Sequence, residues 1–188
     1  MVSEADAINI YKCLSTNGFQ VWLNGGWGID ALLGEQTRPH KDLDMFVSLD
    51  DISRVCELLA HEGYSLKEIW SENRWTIDGQ GNQIATAFVL HDPDGREIDV
   101  HAIRLDVDGN GIPEWEENTG FILTAKDLAG VGMIAGFIVQ CITAEKQMLC
   151  HTGYELPEKQ VPELRRLHEK FGLEYPQELS QRLGSTGT

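Results

Sequence analysis

Asn24-Gly25-Gly26-Trp27-Gly28, followed by Asp42-Leu43-Asp44 at the head of the apolar run Met45-Phe46-Val47, decides how this chain is read. Two carboxylates at i and i+2 of a strand point to the same face. Oxygen-only donors of this kind suit Mg²⁺, which binds through one or two carboxylates plus substrate phosphates. Asp99, in Glu97-Ile98-Asp99-Val100-His101, supplies a third carboxylate from what reads as a neighbouring strand. Three carboxylates so placed would complete a two-metal phosphoryl-transfer site. The diglycine offers close backbone approach and N–H groups to a phosphate chain. In this order along the chain, the pieces point to nucleotidyl transfer.

At 188 residues the chain is long enough for one domain with a small appendage. Hydrophobic residues make up 41%, which supports a packed core. No apolar run approaches the length of a membrane helix, and the start, Met1-Val2-Ser3-Glu4-Ala5-Asp6, lacks a basic segment leading into an apolar one. Cys13, Cys56, Cys141 and Cys150 show no C-x-x-C spacing and read as free, buried thiols. A cytoplasmic protein without a membrane partner is the expectation. The net charge of −15 opposes binding to nucleic acid, which depends on phosphate neutralisation by Lys and Arg. It favours small neutral or basic acceptors drawn to an acidic cleft, or does no more than keep the protein in solution.

Ser3, with Asp6 near the helix start, caps a predicted helix carrying Ile8, Tyr11 and Leu14 and ending at Gly18. A strand over 19–23 runs into the diglycine. A short helix follows over Trp27–Leu33, then the carboxylate strand Asp42–Val47 and a helix bearing Ile52, Val55, Leu58 and Leu59. Strands are predicted at Leu66–Trp70, Trp75–Asp78, Ile84–Leu90 and Glu97–Ile103, the last two joined by the turn Asp92-Pro93-Asp94-Gly95. Residues 107–120 read as an acidic loop, 121–142 as short strands and 143–153 as a helix. A last helix carries Leu164, Leu167 and Phe171, and 184–188 reads as a frayed tail. The class is α/β in the α+β sense: a mixed β-sheet flanked by helices, with residues 1–156 as one domain and 157–188 as a short helical extension.

The run from Trp22 to Gly34, together with Thr37-Arg38-Pro39-His40-Lys41-Asp42-Leu43-Asp44, resembles the small antibiotic nucleotidyltransferases of the polymerase-β-like superfamily. Short-type lincosamide nucleotidyltransferases are nearest in pattern, and aminoglycoside 2″-nucleotidyltransferases come next. Asp99-Val100-His101 and His151-Thr152-Gly153-Tyr154-Glu155-Leu156 resemble segments of the lincosamide branch. The resemblance spans roughly residues 19–156. It departs from the pattern at Asn24, at Pro39-His40-Lys41 and at the insert 106–117. What it implies is a polymerase-β-like fold using two Mg²⁺ ions and ATP or another nucleoside triphosphate. The product it implies is a nucleoside monophosphate on a hydroxyl of a small antibiotic, most simply a lincosamide, with pyrophosphate released. An aminoglycoside acceptor, a protein acceptor as in antitoxin-like relatives, and a non-enzymatic nucleotide-binding relative are the alternatives. A homodimer is compatible with the family.

Asp42 and Asp44 are the candidate metal ligands and share in catalysis. Asp99 either binds the catalytic metal or takes the hydroxyl proton, unless it is a solvated hairpin carboxylate. Gly25 and Gly26 are candidate phosphate contacts at a helix N-terminus, with a plain tight turn as the alternative. Arg38, as a bidentate fork, and Lys41, as a point charge, are candidates for the triphosphate, whereas His40 could equally be a satisfied core histidine. Asp30 is expected to fix the loop, and Trp22 and Trp27 to lie in the core. His101, two residues past Asp99, is a candidate for assisting proton transfer or orienting a carboxylate. By resemblance alone, His151 and Tyr154 line the acceptor pocket or a dimer rim; a helix-capping cluster is the other reading. Asp106, Asp108, Asn110, Gly111 and Glu117 match a calcium-loop pattern, but a strand precedes them and Pro113 interrupts it. An acidic loop in which Glu114, Glu116 and Glu117 receive a cationic acceptor is the better reading.

Overall fold

The computed structural model describes residues 1–115 and 120–183. In chain order the elements are α1 (Glu4–Thr16), β1 (Val21–Leu23), α2 (Gly25–Leu33), β2 (Asp42–Ser48), α3 (Ile52–His61), β3 (Ser65–Ile69), β4 (Thr76–Ile77) and β5 (Gln83–Ile84). They continue with β6 (Ala87–His91), β7 (Glu97–Leu105), β8 (Gly111–Pro113), β9 (Gly130–Ile134), β10 (Phe137–Cys141), α4 (Ala144–Cys150), α5 (Val161–Phe171) and α6 (Gln177–Leu183). Ser3 caps α1 by accepting from the Asp6 amide, while Asp6 accepts from the Ser3 amide at 2.9 Å, a reciprocal pair that satisfies two orphan donors. The predicted strand Ile84–Leu90 is two strands. Thr86 breaks it: its hydroxyl donates to the Glu114 carbonyl at 2.6 Å and its amide donates to Asn73 Oδ1 at 2.7 Å, while its carbonyl still accepts from the Ala102 amide of β7 at 2.7 Å.

The strands form one mixed sheet in the order β3-β6-β7-β2-β1-β10-β9, with β8 paired to β7; β4 and β5 form a separate hairpin. The central pair decides the site. β2 and β7 run parallel, and the register sets Asp42 beside Glu97 and Asp44 beside Asp99. Residues directly paired in a ladder project to the same face, so Asp42, Asp44, Asp99 and His101 share one side of the sheet. The opposite side carries the main core: Leu43, Met45 and Val47 of β2 and Ile98 and Val100 of β7, all completely or almost completely buried, packed with side chains of α1, α2 and α3. A smaller cluster of Trp22, Phe46, Ile103, Leu123, Leu128 and Ile142 covers the carboxylate face beyond His101 and keeps that end dry.

Leu164, Leu167, Leu173, Leu179 and Leu183 join the same core as α2, so the chain beyond residue 157 packs against the sheet domain. The predicted free thiols are free: Cys141 is buried and Cys13, Cys56 and Cys150 are half-buried. Among the described residues no helix is long and apolar enough to cross a membrane.

The segment 106–115 is not the open loop expected. Asp106 Oδ1 accepts from the amides of Asp108 and Asn110 at 2.9 and 2.8 Å, and Oδ2 accepts from Asn110 Nδ2 at 2.9 Å. The carboxylate that a calcium loop would offer to an ion instead closes the turn between β7 and β8, and Pro113 of β8 pairs with Ile103 of β7. Glu116, Glu117 and the tail 184–188 lie outside the described residues.

Candidate functional site

The helix α2 begins at Gly25, two residues earlier than the predicted start, so the diglycine is the first turn of the helix itself. Its N–H groups, with the partial positive charge of a helix N-terminus, therefore face the strand that carries the carboxylates. The approach is close. Gly25 has φ +56°, and a Cβ on it would stand 2.6 Å from Asp44 Cγ and 3.1 Å from Asp44 Cβ. A Cβ on Gly26 would collide with the His40 ring. Both glycines are thus required by space, and Gly25 by conformation as well.

Asp42, Asp44 and Asp99 sit together in an acidic patch. Burial, then the nearby charges of Asp42 and Asp99, hold the Asp44 carboxyl well above the usual carboxylate range. Asp99 is raised mainly by burial; the attraction of His101 and a 2.8 Å hydrogen bond from Trp70 Nε1 work against this. His101 stands 3.5 Å from Asp99 and 3.5 Å from Glu72, with its ring edge-on to Trp115. Glu72 is pulled down to about 2, chiefly by its bond with His101.

These residues fit a hard divalent cation. The donors are carboxylate oxygens only, they repel one another, and a cation among them would reverse the upward push on Asp44. Among the described residues, no three His, Cys, Asp or Glu side chains converge closely enough to cage an ion by themselves. An open set of this kind leaves coordination positions for substrate phosphates.

A cavity of about 310 Å³ opens over Asp42 and Asp44. Asn24, Gly25 and Gly26 line one side; Arg38, His40 and Lys41 line the next; Cys150, His151, Tyr154, Lys159 and Gln160 complete it. Asn24 Oδ1 is buried there with no hydrogen-bond partner among the described residues, a polar atom left for a bound group to satisfy. A larger, mainly apolar cavity of about 500 Å³ lies between α3 and β3, against Phe88 and Leu90. It lies on the opposite face of the sheet and contains none of these carboxylates.

The candidate phosphate ligands are placed unequally. Arg38 Nε and Nη2 donate to Glu163 at 2.7 and 3.0 Å, and Nη1 donates to the Pro39 carbonyl at 3.3 Å. Its fork is therefore occupied by a fully buried carboxylate of α5. Lys41 pairs with Glu97 at 2.9 Å, which raises its pKa, and Lys67 binds the other oxygen of the same carboxylate at 2.7 Å. His40 is buried, with Nε2 2.5 Å from Asp30 and its ring tilted against Trp27. Asp30 also accepts from the Thr37 amide and hydroxyl, fixing the loop that leads to β2.

His151 and Tyr154 line the cavity; His101 does not, lying beyond Asp99 near Trp70 and Glu72. His151 Nδ1 donates to the Gln147 carbonyl at 2.8 Å, and burial pushes its pKa down, which favours the neutral ring. Tyr154 donates to Gln160 Oε1 at 3.2 Å, and burial pushes its phenol up to about 12. Trp70, Glu72, Lys159 and Glu163 were not anticipated. Each reaches the site from a loop or turn, or across 125 residues of chain in the case of Glu163, where local pattern carries no signal.

Residues 6–167 match the family model described as aminoglycoside-2″-adenylyltransferase. A lincosamide resistance protein from Staphylococcus haemolyticus is 29% identical over 157 residues, covering 84% of this chain and 89% of its own length. Among solved structures, the lincosamide antibiotic adenylyltransferase LnuA with lincomycin bound superposes with a TM-score of 0.68 at 24% identity, covering 88% of this chain and 96% of that one. ANT(2″)-Ia in complex with adenylyl-2″-tobramycin superposes with a TM-score of 0.63 at 17% identity, covering 90% and 89%. These two likenesses show the fold.

Proposed function

Since the chain belongs to the aminoglycoside-2″-adenylyltransferase family, we propose that it transfers AMP from ATP to a hydroxyl of a small antibiotic, most simply a lincosamide, releasing pyrophosphate. One observation carries the reading: Asp42 and Asp44 line one cavity with the N-terminal turn of α2, and Asp99 stands in register directly beside Asp44. Relatives covered over most of their length are named for lincosamides or aminoglycosides, and either class offers a hydroxyl for attack on the α-phosphorus.

The amides at Gly25 and Gly26 bind and orient the phosphate chain. Asp42 and Asp44 would hold Mg²⁺, two ions when Asp99 joins them; when bound, it neutralises charge on the attacking and leaving oxygens. Asp99, held by Trp70 Nε1 and flanked by His101, either completes the metal set or takes the proton of the acceptor hydroxyl. His101 stands beside that carboxylate, and Glu72 holds the other edge of the His101 ring. Trp22, Phe46 and Ile103 exclude water from the deep end of the same face. Arg38 contributes its charge near Asp44 through space while its hydrogen bonds go to Glu163.

An aminoglycoside acceptor is the second reading. The net charge of −15 favours it, because aminoglycosides are polycations. The test incubates the protein with Mg²⁺-ATP and a lincosamide–aminoglycoside panel, following pyrophosphate release and product mass, with Asp42→Ala as control. A product heavier by one AMP on a lincosamide supports the first reading, and one on an aminoglycoside promotes the second. Turnover that survives Asp42→Ala would sink the carboxylate mechanism.

A further inference from the structure

A triphosphate brings several negative charges into a cavity whose obvious cations are already engaged. Arg38 has its fork on Glu163, and its remaining donor reaches a backbone carbonyl. Lys41 is held by Glu97. His40 is tied to Asp30, and His151 donates its Nδ1 proton to the Gln147 carbonyl. Lys159 differs from all of these. It lines the same cavity, is exposed, and has no ion pair or hydrogen bond among the described residues.

The backbone beneath Lys159 is nevertheless fixed. It sits in the 3-10 turn Glu158–Gln160, directly before α5. Gln160 accepts from the Tyr154 hydroxyl on one side of the turn, and Glu163 clamps the first turn of α5 onto Arg38 on the other. A lysine carries a compact charge on a flexible stem, which suits an anion that arrives and leaves.

We propose that Lys159 is the cation that closes on the polyphosphate of the nucleotide, and that Arg38 is a positioning residue whose grip on Glu163 docks the turn carrying it. The inference rests on the nucleotide-transfer reading above and names the residue by which that site holds its anionic substrate. It reverses the assignment suggested by the sequence, in which Arg38 binds phosphate directly.

The test is calorimetric titration of the full chain with Mg²⁺-ATP and, separately, with AMP. Far-UV circular dichroism and thermal melts establish that each variant is folded. Lys159→Gln is expected to weaken ATP binding roughly ten- to hundredfold, the loss of one charge-assisted contact, with AMP binding unchanged. Lys159→Arg is expected to restore most of the loss. Glu163→Gln, which loosens the clamp and frees Arg38, is expected to leave ATP binding equal or weaker. ATP binding by Lys159→Gln equal to wild type overturns the assignment while leaving the transferase reading intact. Tighter ATP binding in Glu163→Gln overturns it too, by showing Arg38 to be a phosphate ligand held in reserve. A wild-type chain that binds no Mg²⁺-ATP overturns the transferase reading itself, and this inference with it.

Discussion

Gly25→Ala separates backbone strain from damage to the site, because Gly34 at the other end of α2 provides a matched control. Both residues adopt positive φ, +56° and +79°. Alanine in that region costs about 1–2 kcal/mol, partly offset by about 0.4–1 kcal/mol from a stiffer unfolded chain. Each variant is therefore expected to lose roughly 1 kcal/mol, about 2–4 °C in Tm for a chain of this size. Their surroundings differ. A Cβ on Gly34 meets nothing within 4 Å, whereas one on Gly25 stands 2.6 Å from Asp44 Cγ and closer still to Oδ2. Ordinary contact distance requires the carboxylate to retreat by about 1 Å, a misplacement worth on the order of 100-fold in rate. With an acceptor identified, initial rates of pyrophosphate release at saturating ATP and acceptor are expected to fall about 100-fold in Gly25→Ala and to stay within about twofold of wild type in Gly34→Ala. A Gly25→Ala enzyme with more than half the wild-type rate, or a Gly34→Ala enzyme equally impaired, would refute the argument that the glycine exists to admit Asp44.

Other perturbations test the clamp, the carboxylate patch and the acid limb. Glu163→Ala leaves the Arg38 guanidinium without its bidentate partner in a mostly buried place, and is expected to cost about 3 kcal/mol in urea denaturation; a loss below about 1 kcal/mol would mean that water takes over the Arg38 charge. Asp44→Asn removes one of several crowded like charges, so the metal-free variant should melt higher than wild type while transfer is abolished; a lower Tm would show that repulsion at Asp44 is not a cost to the fold. Asp78 is held down at about 2, first by the Ser53 hydroxyl and then, against burial, by bonds from the Asn82 and Gln80 amides. The folded state thus takes up this proton at lower pH than the unfolded chain, so the contribution of Asp78 is complete above about pH 4 and disappears as pH falls through about 2. Asp78→Asn should accordingly lower Tm at neutral pH and flatten its fall between about pH 4 and 2; a variant with the wild-type pH slope would exclude Asp78 from the acid limb.

Much of this architecture was legible because it is local. The period-2 run from Asp42 to Val47 fixes which side chains face the core and which face the cleft, and neither face works if the strand is flipped. The i, i+2 carboxylates, the diglycine ahead of them and the Ser3–Asp6 cap each follow from covalent spacing and backbone geometry. The same logic placed Asp99 on a strand. Its position directly beside Asp44 depended on a parallel pairing made across fifty-five residues of chain, and spacing alone does not select that register.

What only the tertiary structure decided is who pairs with whom. Arg38 looks like a phosphate ligand in sequence because its neighbours are Gly25, Gly26 and Asp42; in space its fork lies on Glu163, 125 residues away. Lys41 is likewise held by Glu97, and the calcium-like run from Asp106 turns on itself. Lys159, in a proline-punctuated stretch with no pattern to mark it, is left facing the cavity. Residue type and spacing determine which charges a chain possesses and which way a strand presents them. Whether a charge is free for a substrate depends on the counter-charge that folding brings within hydrogen-bonding distance, and that is a property of packing between remote segments.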